Sequence, residues 1–229
     1  MPSYAPIAAN DFIIAYIGSA WWVFLISAAI AYFCGCFNGA VIVSKYILRD
    51  DIRKHGSGNA GLTNFFRTFG GGLTFVVILL DVVKAIVAIL VGMLLFRHLV
   101  LDDTLVITFA KYWAGLFCLL GHMFPCMFGF KGGKGILSGG AIAIMIDWRI
   151  ALVVWGGFIL LVALTRFVSL GSCWAGASFP FATWFVYRDW LILLLSILIG
   201  GLILWMHRAN IGRLIRGEEN KLSFHKKKE

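Results

Sequence analysis

The stretch LTFVVILLDVVKAIVAILVGMLLF, from Leu73 to Phe96, is apolar apart from Asp81 and Lys84. A helix needs about 20 apolar residues to cross the hydrocarbon core of a bilayer. We therefore predict a transmembrane helix here. Asp81 and Lys84 stand three residues apart and share one face of that helix. Ionisable groups in lipid are costly unless they pair or face a polar cavity, so these two residues are either part of a site or a structural ion pair.

The rest of the chain has the same apolar character. Of its 229 residues, 61% are hydrophobic and 14% are charged, and the mean hydropathy is +0.91. A soluble globule could not bury so many apolar side chains, so the composition predicts an all-helical, polytopic membrane protein. The net charge of +9 fits basic residues at the ends of spans better than nucleic-acid binding. The 5 cysteines lie in or beside apolar runs without C-x-x-C spacing, which indicates reduced, unreactive thiols.

Six further apolar runs accompany this span. They cover residues 21–47, 105–121, 136–146, 150–164, 170–187 and 190–206. The runs 136–146 and 150–164 are short for the bilayer, and we interpret them as two spans in a hairpin, with one re-entrant segment as the alternative. Residues 1–20 lack a basic n-region and are interpreted as an N-terminal extension, not a removable signal peptide. Residues 207–229 form a basic tail after the seven-helix domain, 21–206.

Seven crossings would place the two termini on opposite sides of the membrane. One set of loops holds most of the basic residues: Lys45, Arg49, Arg53, Lys54, Arg67, Lys131, Lys134, Arg166 and those of the tail. The other set holds Arg97, Arg149 and Arg188. By the positive-inside rule, loops 49–72, 121–135 and 165–169 and the tail are cytoplasmic, and the N-terminus is outside. We therefore expect the polar loops to face the cytoplasm.

The segment GHMFPCMFGFKGGKGILS, residues 121–138, places His122, Lys131 and Lys134 among glycines and a proline. Glycine allows backbone N–H groups to converge on an anion, and a helix starting after Lys134 would direct its positive end there. This pattern predicts a phosphate-binding loop; the alternative is a plain connection between spans. The nucleotide-binding P-loop is not matched, because Phe128 replaces its first glycine and Gly135 its Ser/Thr.

A second polar segment, RDDIRKHGSGNAGLTNFFRTFGGG, covers residues 49–72. Ser57, Asn59 and Asn64 supply hydroxyl and amide groups, and Arg67 supplies a charge that suits phosphate. We predict a second binding loop, although Ser and Asn could instead serve only to shape a turn.

Four segments carry a family resemblance: GSGNAGLTNFFR (56–67), GHMFPCMFGFKGGKG (121–135), TRFVSL (165–170) and HRANIGRLIRGEE (207–219). In this order they resemble the motifs of the bacterial acyl-phosphate:glycerol-3-phosphate acyltransferase family. The resemblance implies a seven-helix enzyme that moves a fatty acyl group from acyl phosphate to the sn-1 hydroxyl of glycerol 3-phosphate. The products are lysophosphatidic acid and phosphate, and no CoA, carrier protein, metal or other cofactor is implied. Leu62, Ala85 and the pair Leu137-Ser138 depart from the family pattern.

Residue roles follow as hypotheses from this resemblance. The catalytic positions are His207, Asn210 and Ser57. The substrate-binding positions are Asn59, Asn64, Arg67, His122, Lys131, Gly132, Gly133, Lys134, Gly135, Arg166, Ser169, Arg208, Arg213 and Glu218. Lys134 and the glycine backbone are expected to bind one phosphate, segment 56–67 the other phosphate and the carbonyl, and the tail to close over glycerol 3-phosphate. The hydroxyl proton could pass to His207, to His122 or to the phosphate of the donor.

Two competing interpretations remain at this level. His98 and Asp103 match the H-x₄-D spacing of a different glycerolipid acyltransferase superfamily, but they lie in a predicted outer loop, which makes the match coincidental. A transporter of an organophosphate anion would also explain basic loops and intramembrane charges. Transporters usually bind at the bilayer midplane between repeated halves, however, and no internal repeat is evident here. A non-catalytic scaffold would not need the Gly-Lys and Ser-Gly-Asn chemistry.

Overall fold

The computed structural model describes residues 9–222, and side chains from residue 19 onward. Within that range the chain is helical, and it contains no strand. The helices are α1 Ala9–Cys36, α2 Gly39–Ile42, α3 Leu62–Thr68, α4 Leu73–Leu99, α5 Thr104–Met123, α6 Ile136–Ile146, α7 Trp148–Thr165, α8 Val168–Tyr187, α9 Trp190–Met206 and α10 Arg208–Ile215. The termini, 1–8 and 223–229, lie outside the described residues. Of the predicted N-terminal extension, 1–20, the side chains of residues 1–18 are likewise not described.

Four of the described helices are long and apolar enough to cross a bilayer, namely α1, α4, α5 and α7. α9 and α10, joined across a 58° bend, give a fifth candidate. α8 has 20 residues but does not reach the same hydropathy. α6 has only 11 residues, about 17 Å at the helical rise, which is less than the hydrocarbon thickness. The chain is a multi-pass membrane protein, while the number of seven crossings stays a prediction.

The first predicted span, 21–47, is not one continuous helix. α1 begins at Ala9, ahead of the predicted start, and ends at Cys36. After a break at Phe37 and Asn38, α2 and a π-helical turn, Val43–Ile47, continue the segment. The Asn38 side chain accepts a hydrogen bond from Val41 N–H at 3.1 Å and so caps α2. A buried asparagine inside an apolar run is the signal for this break.

The two short runs agree closely with the helices that form. α6 has the predicted bounds, and α7 starts two residues before its predicted start. The carboxylate of Asp147 accepts a hydrogen bond from Arg149 N–H at 2.8 Å, which caps α7 and allows it to begin at Trp148. The polar triplet 147–149 therefore acts as a helix boundary.

The backbones of α1 and α5 pack closely against each other. A Cβ on Gly35 would lie 2.0 Å from the carbonyl oxygen of Cys118, and one on Gly121 would lie 2.0 Å from that of Tyr32. Small residues permit such an approach between membrane helices. The contact also brings the end of α5 to the break after α1, where Tyr32 Oη donates to the carbonyl of Phe124 at 2.7 Å.

The motif-bearing segments meet at one end of the bundle. Ala60 N–H donates to the carbonyl of Gly132 at 3.4 Å, and Leu222 N–H donates to that of Arg166 at 2.7 Å. These bonds join the loop before α3 to the loop before α6, and the tail to the α7–α8 connection. The connection between α4 and α5, 100–103, lies at the other end of those two helices.

Candidate active site

Lys134 links the glycine-rich loop to the tail. Its Nζ hydrogen-bonds the Oδ1 of Asn210 on α10. The Nδ2 of Asn210 donates to Glu219 Oε1 at 2.9 Å, and Arg213 Nε donates to Glu219 Oε2 at 2.7 Å. Burial, followed by the nearby charge of Arg213, lowers the pKa of Lys134 below that of an ordinary lysine. The result is a connected polar network with two cations and one carboxylate.

The tail also contacts the two remaining motif segments. Arg67 Nη2 donates to the carbonyl of Asn220 at 3.3 Å. Arg166, in the left-handed conformation at the end of α7, accepts the N–H of Leu222 through its carbonyl. All four segments singled out in the sequence therefore meet around residues 219–222.

The two adjacent glutamates of the tail, Glu218 and Glu219, lie in different surroundings. Glu218 is exposed and pairs with Arg216, the two side chains being 2.7 Å apart. The next residue, Glu219, has a side chain only 6% exposed and joins Arg213 and Asn210. Burial acts to raise the pKa of Glu219, but hydrogen bonds from Asn210 and Arg213 lower it overall. Sequence reasoning missed Glu219 because the turn at Gly217, which orients the two glutamates, was not anticipated.

Ser169 and Ser57 occupy different environments. Ser169 is buried, and its Oγ adjoins Glu219 and helps to lower the pKa of that carboxyl, although it makes no hydrogen bond of standard geometry. Ser57 is exposed, and its backbone N–H donates to Asn64 Oδ1 at 3.1 Å. The hydroxyl of Ser57 is thus presented on the surface of the loop.

Asn64 is occupied with holding that loop. Its Nδ2 donates to the carbonyls of His55 and Asn59 at 3.1 and 3.0 Å, with a longer contact of 3.4 Å to that of Ile52. Because Oδ1 also accepts from Ser57, a direct contact from Asn64 to substrate would require breaking loop bonds. The Asn64 side chain thus shapes the loop that carries Ser57 and Asn59, and its role in binding substrate stays a prediction.

The backbone of the predicted phosphate-binding loop also makes internal hydrogen bonds. The N–H groups of Gly132 and Gly133 donate to the carbonyls of Met123 and His122, both at 3.1 Å, so they are not free to bind phosphate. Glycine is required here for another reason. A Cβ on Gly133 would lie 2.3 Å from His122 Nε2 and 2.7 Å from the carbonyl oxygen of Ala60. Gly135, with φ +78°, ends the loop and starts α6.

The remaining predicted cations lie on the surface. Lys131 and Arg166 are exposed. Arg208 is exposed too; its guanidinium lies 4.2 Å from the centre of the Trp205 ring and donates to the Trp205 carbonyl at 2.9 Å. These three residues border the Lys134 network. Among residues 19–222, none of their side chains makes a hydrogen bond to it.

His207 is buried at the bend between α9 and α10. Its Nδ1 lies 2.8 Å from the carbonyl oxygen of Ile203. A carbonyl oxygen can only accept a hydrogen bond, so this contact assigns the proton to Nδ1 and leaves Nε2 as an acceptor in the neutral ring. The arrangement is compatible with the predicted role of His207 as a base.

Asp81 and Lys84 form a buried ion pair at 2.7 Å, with side chains 2% and 4% exposed. Lys84 Nζ also contacts His122 Nδ1 at 2.7 Å and the carbonyl of Phe37 at 3.1 Å. Asp81 Oδ1 accepts the N–H of Gly39 at 3.1 Å. The pair therefore satisfies backbone groups exposed by the break after α1. Its connection to His122 and to the break could not be read from spacing along one helix.

His98 and Asp103, the pair with H-x₄-D spacing, have different structural surroundings. Asp103 Oδ1 accepts from the N–H groups of Leu105 and Val106 at 2.8 and 3.2 Å and is the cap of α5. His98 is exposed in the last turn of α4. Within the described part of the chain, no group of three or more His, Cys, Asp or Glu could hold a metal ion.

Two apolar cavities adjoin α6. One lies between α6, α7, α8 and α9, and its lining includes Ile136 and Trp155. The other lies between α4, α6 and α7, and its lining runs from Leu137 to Met145 and includes Val82. Both cavities begin within three residues of Lys134, so apolar space is available beside the polar network.

Comparison with known proteins gives a consistent result. Residues 25–217 match the family described as Glycerol-3-phosphate acyltransferase. The protein of that name from Thermoanaerobacter pseudethanolicus is 34% identical over 198 residues, which cover 86% of this chain and 95% of the relative. Two crystal structures of PlsY (YgiH), described as an integral membrane glycerol 3-phosphate acyltransferase, are 30% identical to the chain and cover 87% of it. The glycerol 3-phosphate form has a TM-score of 0.76, with 96% of its chain covered, and the lysophosphatidic acid form a TM-score of 0.73, with 95% covered.

Proposed function

The chain belongs to the glycerol-3-phosphate acyltransferase family, and from that premise we propose that it transfers a fatty acyl group from acyl phosphate to the sn-1 hydroxyl of glycerol 3-phosphate. The products are lysophosphatidic acid and inorganic phosphate. The observation that carries the proposal is the network of Lys134, Asn210, Arg213 and Glu219 beside apolar cavities.

The polar network suits the phosphate of glycerol 3-phosphate. Lys134 and Arg213 provide two positive charges, and Arg67 lies in the last turn of α3, where it contacts the tail. Charge-assisted hydrogen bonds from such cations are among the stronger polar contacts to phosphate. Asn210, which bridges Lys134 and Glu219, is positioned to exchange one of these contacts for a glycerol hydroxyl.

The apolar cavities suit the acyl chain of the donor. An alkyl chain is most stable away from water, and the cavity that begins at Leu137 runs along α6 as far as Met145. With the phosphate of the donor held by segment 56–67 beside Lys134, the acyl chain would lie along α6. Leu137, one of the departures from the family pattern, would then contact the chain near its carboxyl end.

Transfer requires little covalent assistance from the protein. Acyl phosphate is a mixed anhydride with a good leaving group, so alignment of the acceptor and charge neutralisation supply most of the catalysis. The sn-1 oxygen attacks the acyl carbonyl, the bond from that carbon to the phosphate oxygen breaks, and phosphate leaves. The hydroxyl proton passes to His207 Nε2 or to the departing phosphate. No acyl-enzyme is needed.

We also propose that the seven apolar runs all cross the bacterial inner membrane, with the N-terminus outside and the C-terminus in the cytoplasm. Support comes from the clustering of the basic loops at the end of the bundle that holds Lys134. Glycerol 3-phosphate would then enter from the cytoplasm, whereas the lipid-like donor would enter from the bilayer.

Purified protein with palmitoyl phosphate and labelled glycerol 3-phosphate tests the function directly. We expect release of inorganic phosphate matched by label that is extractable into organic solvent. Palmitoyl-CoA replaces palmitoyl phosphate in the control and should give no product. Turnover with the CoA donor alone would contradict the proposed donor. Accumulation of label inside vesicles without a lipid product would favour the transporter alternative.

A further inference from the structure

A buried ion pair stands directly behind the glycine-rich loop. Lys84 Nζ has three hydrogens, and the structure gives it three acceptors: Asp81 Oδ1, the Phe37 carbonyl and His122 Nδ1. Each contact is between 2.7 and 3.1 Å. None of the proposed catalytic steps uses Asp81 or Lys84.

The contact with Lys84 fixes the protonation of His122. An ammonium group has donors and no acceptor, so His122 Nδ1 must carry the lone pair. A neutral imidazole then carries its proton on Nε2. A doubly protonated ring is disfavoured, because a hydrogen on Nδ1 would point at the ammonium 2.7 Å away. His122 is therefore held as a neutral Nε2–H donor.

That donor faces the loop beside Lys134. The His122 side chain is 3% exposed. A Cβ on Gly133 would lie 2.3 Å from Nε2, and one on Gly135 would lie 3.9 Å from Cδ2, so the ring edge lies against the residues on both sides of Lys134. The hydrogen bonds of residues 19–222 include none from Nε2. The atom is also not among the fully buried polar atoms that lack a partner, so Nε2–H keeps access to the space beside the loop and can donate to a ligand bound there.

We propose that His122 donates a hydrogen bond from Nε2–H to a phosphoryl oxygen of a phosphate-ester or acyl-phosphate substrate bound at Lys134. Asp81 and Lys84 are positioning residues that hold the required tautomer. This inference rests on the proposed function for the identity of the substrate. It also removes His122 from the candidate bases, since its one lone pair already accepts from Lys84.

The Asp81–Lys84 pair helps to fix the position of the glycine-rich loop relative to the break between α1 and α2. Asp81 binds the N–H of Gly39, and Asn38 Nδ2 binds the carbonyl of Ala60 at 3.1 Å. Ala60 in turn donates to the carbonyl of Gly132. Orientation of the Nε2–H group and placement of the glycine segment therefore depend on the same buried contacts.

The tautomer can be read directly by ¹⁵N NMR of histidine-labelled protein in detergent. The His122 signals are identified by their loss in His122→Asn. We expect a protonated, pyrrole-type Nε2 and an unprotonated Nδ1 at neutral pH. Addition of glycerol 3-phosphate or inorganic phosphate should shift the Nε2 signal, while the signals of the exposed His98 stay in place. A protonated Nδ1, or no shift with either ligand, would overturn the proposal.

A matched pair of variants separates the two ring nitrogens. In His122→Asn the amide oxygen can replace Nδ1 as the acceptor of Lys84, but no donor remains at the Nε2 position. In His122→Gln the amide nitrogen can reach the Nε2 position and donate. We expect kcat/KM to fall about 10- to 100-fold in His122→Asn, as for a lost charge-assisted hydrogen bond, and much less in His122→Gln. His98→Asn, at the other end of α4, is the control and should be unaffected.

The positioning role has its own test. The double variant Asp81→Asn, Lys84→Met removes both charges together and so leaves no unpaired buried charge. We expect the Nδ1–H tautomer of His122 to appear in its spectrum. Equal activity of the wild type and His122→Asn, at equal thermal stability, would refute the donor role. Failure of the wild type to use acyl phosphate would refute the proposed function instead. The donor role of His122 would then still be tested by the spectra, because the shift of its Nε2 signal on adding phosphate does not require turnover.

Discussion

Glu218 and Glu219 have the same chemistry but different surroundings, because the turn at Gly217 directs one side chain outward and the other into the Lys134 network. Only Glu219 binds both Asn210 and Arg213. The surface pair of Glu218 with Arg216 is exposed on both sides and contributes little to stability. Adjacent residues can thus serve as variant and control.

We predict that Glu219→Gln lowers kcat/KM by about 10-fold or more, because the charged acceptor that orients Arg213 and Asn210 is lost. Glu218→Gln should retain activity within about twofold, since only an exposed ion pair is removed. Both variants are assayed for phosphate release and for thermal stability in the same detergent. Similar losses in the two variants would contradict the assignment of Glu219 to the network.

Lys134 provides a prediction about pH. Burial, then Arg213, lower its pKa, so the ammonium loses its proton at a lower pH than an ordinary lysine, whose pKa is about 10.4. Binding of a phosphate dianion needs the protonated form. The KM for glycerol 3-phosphate should therefore begin to rise, with increasing pH, below the pH expected for an unperturbed lysine.

Lys134→Arg is the comparison for that titration. Arginine keeps its charge throughout this range, so its KM should show no such rise, although its absolute KM will differ because the contact to Asn210 changes. The measurement is KM for glycerol 3-phosphate across neutral to alkaline pH for both proteins. An identical alkaline rise in the two would assign the titration to another group.

At the scale of elements, the glycine loop is defined by what it packs against. Gly133 lies against His122 and the carbonyl of Ala60, and its N–H is bonded to α5. The sequence pattern predicts that this loop and its lysine form a phosphate site, and that remains a prediction. It could not reveal that two glycine amides are used internally, because that depends on where α5 ends relative to the loop.

We predict that Gly133→Ala reduces kcat/KM by about 10-fold or more, because the new methyl group displaces either His122 or the loop that carries Lys134. Gly156→Ala on α7 is the matched control, since a Cβ there meets nothing within 4 Å. Phosphate release and melting temperature are measured for both. Normal activity of Gly133→Ala would contradict the tight contact between His122 and the loop.

The break between α1 and α2 marks another limit of sequence reasoning. A continuous apolar run with one asparagine predicts a single span, and such runs usually form one. Here Asn38 caps α2, while Asp81 and Lys84 from α4 satisfy the exposed backbone groups. The charged residues of α4 stabilise the break between α1 and α2. The sequence of neither segment alone could predict this contact.

At the scale of the molecule, helical class, membrane location and the meeting of four distant motifs followed from composition and from the motifs themselves. The partners within the meeting point did not. The family resemblance identified Lys134 and Asn210 separately, but their contact, the choice of Glu219 over Glu218 and the loop-holding role of Asn64 depend on packing. Motif order predicts which segments converge, and tertiary contacts decide which atoms bind.

The number and direction of the crossings can be tested by thiol labelling. The five native cysteines are buried or half-buried, so single cysteines introduced at exposed positions should dominate labelling by a membrane-impermeant reagent. We predict that Lys54→Cys and Arg216→Cys label only from the cytoplasmic side, because both lie at the Lys134 end. Asp102→Cys, in the connection between α4 and α5, should label only from outside.

Arg149→Cys decides between the hairpin and the re-entrant interpretations of α6 and α7. α6 covers only about 17 Å, but α7 with 18 residues covers about 27 Å, so the two helices cannot both be full-length spans normal to the bilayer. If α6 reaches the outer side by starting below the membrane surface, Arg149→Cys labels from outside, as does Asp102→Cys. Labelling of Arg149→Cys from the cytoplasm would leave five crossings, and the prediction of seven would be wrong. The prediction that Lys54 and Arg216 lie on the same side of the membrane would be unaffected.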